Sequence, residues 1–123
     1  MAFLNDRVFD EGLSVLDLEA NAVHVTSAEA TDYTEATSTY SLGSSSSLSI
    51  GAPGDRVGGG RKVSVTAIDD GTISGTGTVT HYALVDTVNS RLLATAALTA
   101  SQSVTSGNTF TLATFDIGIP DPS

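Results

Sequence analysis

The sequence predicts a mainly β fold: a single antiparallel β-sandwich domain over residues 1–123, with a short N-terminal helix. Three observations lead to this expectation. Apolar and polar residues alternate in several short runs, the pattern of half-buried strands. Glycine-bearing turns punctuate those runs, as in "IDDGTISGTGT" and "SVTSGNT". The chain also carries 16 serines and 17 threonines among 123 residues, and threonine suits the solvent side of a sheet.

Residues 1–20 form the N-terminal arm, with a helix over 5–20. Asn5 is a suitable N-cap, and Asp6, Asp10 and Glu11 favour the positive end of a helix dipole. Val8, Phe9, Leu13, Leu16 and Ala20 recur near helical spacing, while Gly12 weakens the helix by about 1 kcal/mol relative to alanine. In "NAVHVTS", Val23 and Val25 alternate with His24 and Thr26, which predicts a strand. The segment Thr31–Tyr40 fits either one helical turn or an irregular crossing. Residues 41–62 are rich in serine and glycine and predict a long loop, interrupted by a short strand at 48–50. "RKVSVTA" alternates cleanly, and Asp70-Gly71 has the composition of a turn. A hairpin spans about 78–99, turning at "TVNS". The closing "TFTLATFDIGI" alternates in two phases, so a bulge near Ala113–Thr114 would bring its apolar residues to one face. The predicted core is Val63, Val65, Leu84, Leu92, Phe110, Leu112, Phe115 and Ile117.

Composition narrows the function classes. Hydrophobic residues make up 40% and charged residues 15%, too apolar and too weakly charged for intrinsic disorder. The net charge is −9, so a nucleic-acid duplex is repelled on average and no nucleic-acid partner is expected. No cysteine is present, which removes disulfides and thiolate metal sites. The opening "MAFLNDRVFD" lacks a basic region followed by an apolar run, and no stretch approaches about 18 apolar residues; no signal peptide and no membrane partner are expected.

The motifs that carry chemistry are incomplete. "GAPGDRVGGGRK", residues 51–62, holds five of the 12 glycines and three of the five basic residues. A phosphate-binding loop needs G-x-x-x-x-G-K-[ST]. Gly54 and Gly59 have the spacing, but Gly60 stands at the lysine position and Val63 follows Lys62. "GTGTVT" enters a strand rather than a helix, so it does not fit a dinucleotide fingerprint. His24 and His81 lie in predicted strands and are expected to face outward without metal. Asp69-Asp70 is explained by turn chemistry, and no G-x-S-x-G elbow singles out a nucleophile. Tyr33 and Tyr40 are the one aromatic pair that could stack on a sugar. No catalytic residue, cofactor or metal is expected.

The basic loop is the remaining feature. Eight of the 14 acidic residues lie in the first 35 positions, beside a single basic residue, Arg7. Arg56, Arg61 and Lys62 therefore form a cationic loop on an otherwise acidic chain. The expectation is a protein-contact site in which these three residues meet Asp6, Asp10 and Glu11 of an adjacent copy, or a partner surface.

Three segments, "FLNDRVFDEGLSVLD", "HYALVDTVNSRLLATAAL" and "GNTFTLATFDIGIPDP", resemble small virion proteins of tailed bacteriophages. The resemblance lies in overall texture and brings no catalytic residue with it. It implies a non-enzymatic structural protein made in the host cytoplasm and incorporated in the virion. The implied role is a capsid decoration (cement) protein, or a small tail or connector component, with other copies of itself or a major capsid or tail protein as partners and a homo-oligomeric state. The alternative is a small ligand-binding β-module, such as a carbohydrate-binding piece of a tail fibre.

Overall fold

The computed structural model describes residues 6–119, with side chains from residue 11 onward. The chain is mainly β, with antiparallel sheets and a short N-terminal helix, α1 (Asp6–Glu19). Its described residues divide into two compact units, each assembled from separate stretches of chain.

The first unit takes residues 6–19, 49–67 and 113–119. It contains α1 and a sheet of three strands. Numbered in chain order with the rest of the molecule, these are β3 (Gly54–Asp55), β4 (Arg61–Val65) and β9 (Phe115–Ile119), in the order β3-β4-β9. Val63 pairs with Ile117 and Val65 with Phe115. The helix packs against β4, and Leu13, Leu16, Val63 and Val65 are buried, as their spacing requires. Leu18, outside that apolar stripe, is 81% exposed.

The second unit takes Ala20–Leu48 and Ile68–Leu112. Its six strands are β1 (Ala22–Thr26), β2 (Ser41–Ser45), β5 (Ile68–Ile73), β6 (Gly77–Asp86), β7 (Arg91–Val104) and β8 (Thr109–Leu112). They lie in the order β7-β6-β1-β2-β5-β8, with every neighbouring pair antiparallel. Both faces of β6 are buried over Tyr82–Asp86. On one face, Ala83 and Val85 pack with Ala22, Ala30 and Ala36, and with the half-buried Tyr33, Tyr40 and Leu92. The covering segment contains a helical turn of π type at Glu35–Thr39. It is fixed at its start by Asp32, whose carboxylate accepts from the Glu35 amide at 2.8 Å, and by Glu35, whose carboxylate accepts from the Thr31 amide at 2.8 Å. This reciprocal arrangement is a variant of the helix capping box. On the opposite face of β1 and β6, Val23 pairs with Leu84 and Val25 with Tyr82.

Four expectations are corrected. Residues 41–62 are not one loop: their first five residues are β2, an interior strand, and their end holds β3 and the start of β4. Glycine and serine permit this because β2 runs close to its neighbour. A Cβ on Gly43 would lie 2.5 Å from the carbonyl oxygen of Thr72. Second, Asp70-Gly71 is not a turn but the middle of β5. Gly71 is needed because the Phe110 ring lies across it: a Cβ there would sit 2.3 Å from two ring carbons. Third, Ala113–Thr114 is not a bulge; it links β8 of one sheet to β9 of the other. Fourth, Leu92, Leu112, Phe115 and Ile117 are half-buried rather than fully buried. All four lie on edge strands (β7, β8 and β9), whose outer flank has no neighbouring strand among the described residues. Val63, Val65, Leu84 and Phe110 are buried as expected.

Candidate functional site

The glycine-rich stretch is an ordered β-hairpin. Gly54 pairs with Lys62 and Asp55 with Arg61. Between them, the Arg56 amide donates to the Gly60 carbonyl at 3.1 Å and the Gly59 amide to the Arg56 carbonyl at 3.1 Å. Gly58, Gly59 and Gly60 all have positive φ, at 90°, 105° and 92°, a run of backbone that side-chain-bearing residues rarely adopt. The glycines thus make a tight reversal that presents Val57 at its tip, 92% exposed.

The three basic residues of this hairpin have different surroundings. Arg61 Nη1 donates to Asp55 Oδ1 at 2.6 Å, and Lys62 Nζ to Asp116 Oδ2 at 2.8 Å. Ser64 Oγ donates to the other oxygen of Asp116 at 2.6 Å. The Lys62 hydrogen bond, followed by that from Ser64, holds the Asp116 carboxyl below its ordinary range. Such exposed pairs contribute only about 0–1 kcal/mol each, so they orient the side chains more than they stabilise the fold. Arg56 pairs with no carboxylate among the described residues; its Nη1 donates to the Gly59 carbonyl at 3.0 Å. Its stem crosses Gly118, where a Cβ would lie 3.0 Å from Arg56 Cδ. Arg56, Val57, Lys62, Asp116 and Gly118 together line an open depression of about 390 Å³. Of the acidic residues expected to complement this loop, Glu11 is exposed on α1. The side chains of Asp6 and Asp10 lie outside the described residues.

A second concave surface lies on the six-stranded sheet and was not anticipated from the sequence. His24 of β1 stands opposite Ser44 of β2, and Ser44 opposite Thr72 of β5, so the three form one cross-strand row. The open cleft around them also includes Asp70, Ser47 and Thr87 and has a volume of about 380 Å³. Asp70 is fixed through both oxygens, accepting from Ser45 Oγ at 2.8 Å and from Ser47 Oγ at 2.5 Å. These bonds, Ser47's first, keep its carboxyl below the ordinary range and hence anionic. Thr87 is clamped by Asn21, whose Nδ2 donates to Thr87 Oγ1 at 2.8 Å and whose Oδ1 accepts from the Thr87 amide at 3.0 Å. His24 is half-buried, with Nδ1 2.8 Å from Ser41 Oγ. Burial lowers its pKa and favours the neutral imidazole. The signal for this cleft was the serine run 44–47 next to an alternating strand, and the assignment of that run to a loop concealed it.

The other residues singled out in the sequence have the following surroundings. Tyr33 and Tyr40 are half-buried and packed against the alanine-rich cluster beside β1 and β6. His81 Nδ1 lies 2.8 Å from the hydroxyl of its neighbour Thr80. Among the described residues, no group of three or more His, Asp or Glu side chains is placed to hold a metal ion, and no helix is long and apolar enough to cross a membrane. Comparisons with protein-family models, with curated proteins and with solved structures give no match to this chain.

Proposed function

We propose that this chain is a non-enzymatic structural protein of a bacteriophage virion, most simply a capsid decoration protein, acting through contacts with other copies of itself or with a shell. The observation that carries the reading is the β3–β4 hairpin. It fixes an apolar side chain, Val57, in solvent at 92% exposure beside an arginine unpaired with any described carboxylate. The glycine-built tip thus holds an aliphatic side chain in solvent beside an arginine, a residue type enriched at protein interfaces. The net charge of −9 makes a cationic tip attractive to acidic regions of neighbouring copies. Repetition of a weak contact across many copies supplies strength through multivalency. The resemblance of three segments to small virion proteins supports the same reading.

Gel filtration with light scattering tests it. A closed oligomer or concentration-dependent assembly is expected for the wild type. Val57→Asp with Arg56→Glu should give a folded chain of reduced mass. A wild-type chain that remains monomeric and fails to bind empty capsids overturns the proposal.

A further inference from the structure

We propose that the cleft over β1, β2 and β5 is a binding site for a neutral polyhydroxylated ligand, namely one sugar residue of a glycan. The inference does not depend on the virion reading, since it rests on a different sheet and different residues. Its volume of about 380 Å³ lies within the ordinary range of small-molecule sites. What lines it decides the chemistry. Among the described residues no lysine or arginine lines it, so phosphates and carboxylates find no counter-charge there. Nor does any described phenylalanine, tyrosine or large aliphatic side chain line it, which disfavours nucleobases and apolar ligands. Hydroxyls of Ser44, Thr72 and Thr87 remain, each able to donate and to accept, while that of Ser47, whose proton goes to Asp70, can still accept. Among them stand one carboxylate and one imidazole. A vicinal diol presents the same mixture of donors and acceptors in return.

The groups are held in place before a ligand arrives. The Asp70 carboxylate is tied down by two serine hydroxyls, yet each of its oxygens retains a further acceptor site. Ser44 and Thr72 stand on paired strands, so their spacing is set by the sheet register. Thr87 is held by two hydrogen bonds to Asn21. Pre-organisation of this kind lowers the ordering cost of binding. Without an aromatic stacking partner, a single site should be weak, roughly millimolar, and useful where many copies face a polysaccharide together.

Two-dimensional NMR of the intact chain tests this directly. Methyl α-D-mannopyranoside, methyl α-D-galactopyranoside and N-acetylglucosamine are titrated separately, with methylammonium chloride and sodium phosphate as ionic controls. At least one sugar should shift the amides of Ser44–Ser47, Asp70 and Thr72 saturably. Asp70→Asn should weaken that sugar about tenfold or more, as expected for loss of a charge-assisted hydrogen bond. Thr72→Val, which keeps the strand shape, should weaken it by a smaller factor with unchanged melting. Absence of saturable shifts with all three sugars overturns the proposal. So do tighter binding of methylammonium or phosphate, shifts confined to other regions, and affinities that neither substitution alters. None of these outcomes bears on oligomer mass, so the assembly proposal stands or falls separately.

Discussion

The contact between Gly71 and Phe110 offers a sharp test of how β5 and β8 pair. Phe110 is 8% exposed and sits opposite Gly71 in the ladder. A Cβ at position 71 would lie 2.3 Å from ring carbons Cε1 and Cζ and 2.5 Å from Cδ1, so the ring must move or the strands must part. Overpacking of this kind costs about 1–3 kcal/mol in Gly71→Ala. Phe110→Ala removes a ring that buries roughly 150–250 Å², or about 4–6 kcal/mol at 25 cal/mol per Å² as an upper bound; the observed range for such truncations is about 3–5 kcal/mol. In the Phe110→Ala background the obstacle is gone, so adding Gly71→Ala should cost nothing. The double variant should therefore be more stable than the sum of the single effects predicts, by about 1–3 kcal/mol. Urea denaturation followed by far-ultraviolet circular dichroism measures all four corners, with Phe110→Leu as substitute if the alanine variant is too unstable to fit. Additivity within about 0.5 kcal/mol would mean that the ring does not cover Gly71 and that the register between β5 and β8 is wrong.

Further outcomes follow from the same structure. Ser90, in the turn between β6 and β7, has φ of 55°. Ser90→Gly should raise stability by about 0.5–1 kcal/mol, the left-handed penalty less the extra unfolded-state freedom of glycine, and a fall in Tm would count against the turn geometry. Stability should decline in two stages as pH falls. The pKa of His24 is depressed by burial from its ordinary 6.5, so the folded state resists a proton that the unfolded chain accepts. Stability is full above 6.5 and falls as pH drops from there toward the folded value. His24→Gln should remove this stage, and an unchanged profile in that variant would show that His24 is not its source. The carboxyls of Asp70, Asp86 and Asp116 are held below their ordinary 3.8 by hydrogen bonds, first from Ser47, Asn89 and Lys62 respectively. Their contribution is present above 3.8 and is lost as pH falls below it; urea midpoints across the acid range measure both stages.

The fold class was legible because alternation marks strands wherever one face is buried. Val23 and Val25, and Val63 and Val65, declared their strands in this way. The helix was legible from Leu13 and Leu16 together with its acidic first turn. Strand β2 was not, because its buried positions are Gly43 and Ser45. They are small where the backbones approach closely, and a small-residue strand is indistinguishable in composition from a loop. Gly71 misled for the same reason: an aspartate–glycine pair suggests a turn unless the partner ring, 39 positions further on, is known. Edge position was equally hidden, since alternation shows that a strand has a buried face but not whether both its flanks are paired. The basic hairpin was visible as charge and glycine. The in-chain partner of Lys62 was not, because Asp116 lies 54 positions away, and that of Arg61 needed the β3–β4 register that sets Asp55 opposite it. The hydroxyl cleft depends on the row His24–Ser44–Thr72, which exists only once three strands are placed in register.

The central claim, that the chain is a structural component of a virion, is tested most directly by quantitative mass spectrometry of particles banded from the culture that carries its gene. The account predicts the protein in intact particles at a fixed ratio to the major shell or tail protein. It also predicts that particles assembled with the Val57→Asp, Arg56→Glu chain carry markedly less of it. Purified particles that lack the protein, with all of it remaining in the cell lysate, would contradict the account.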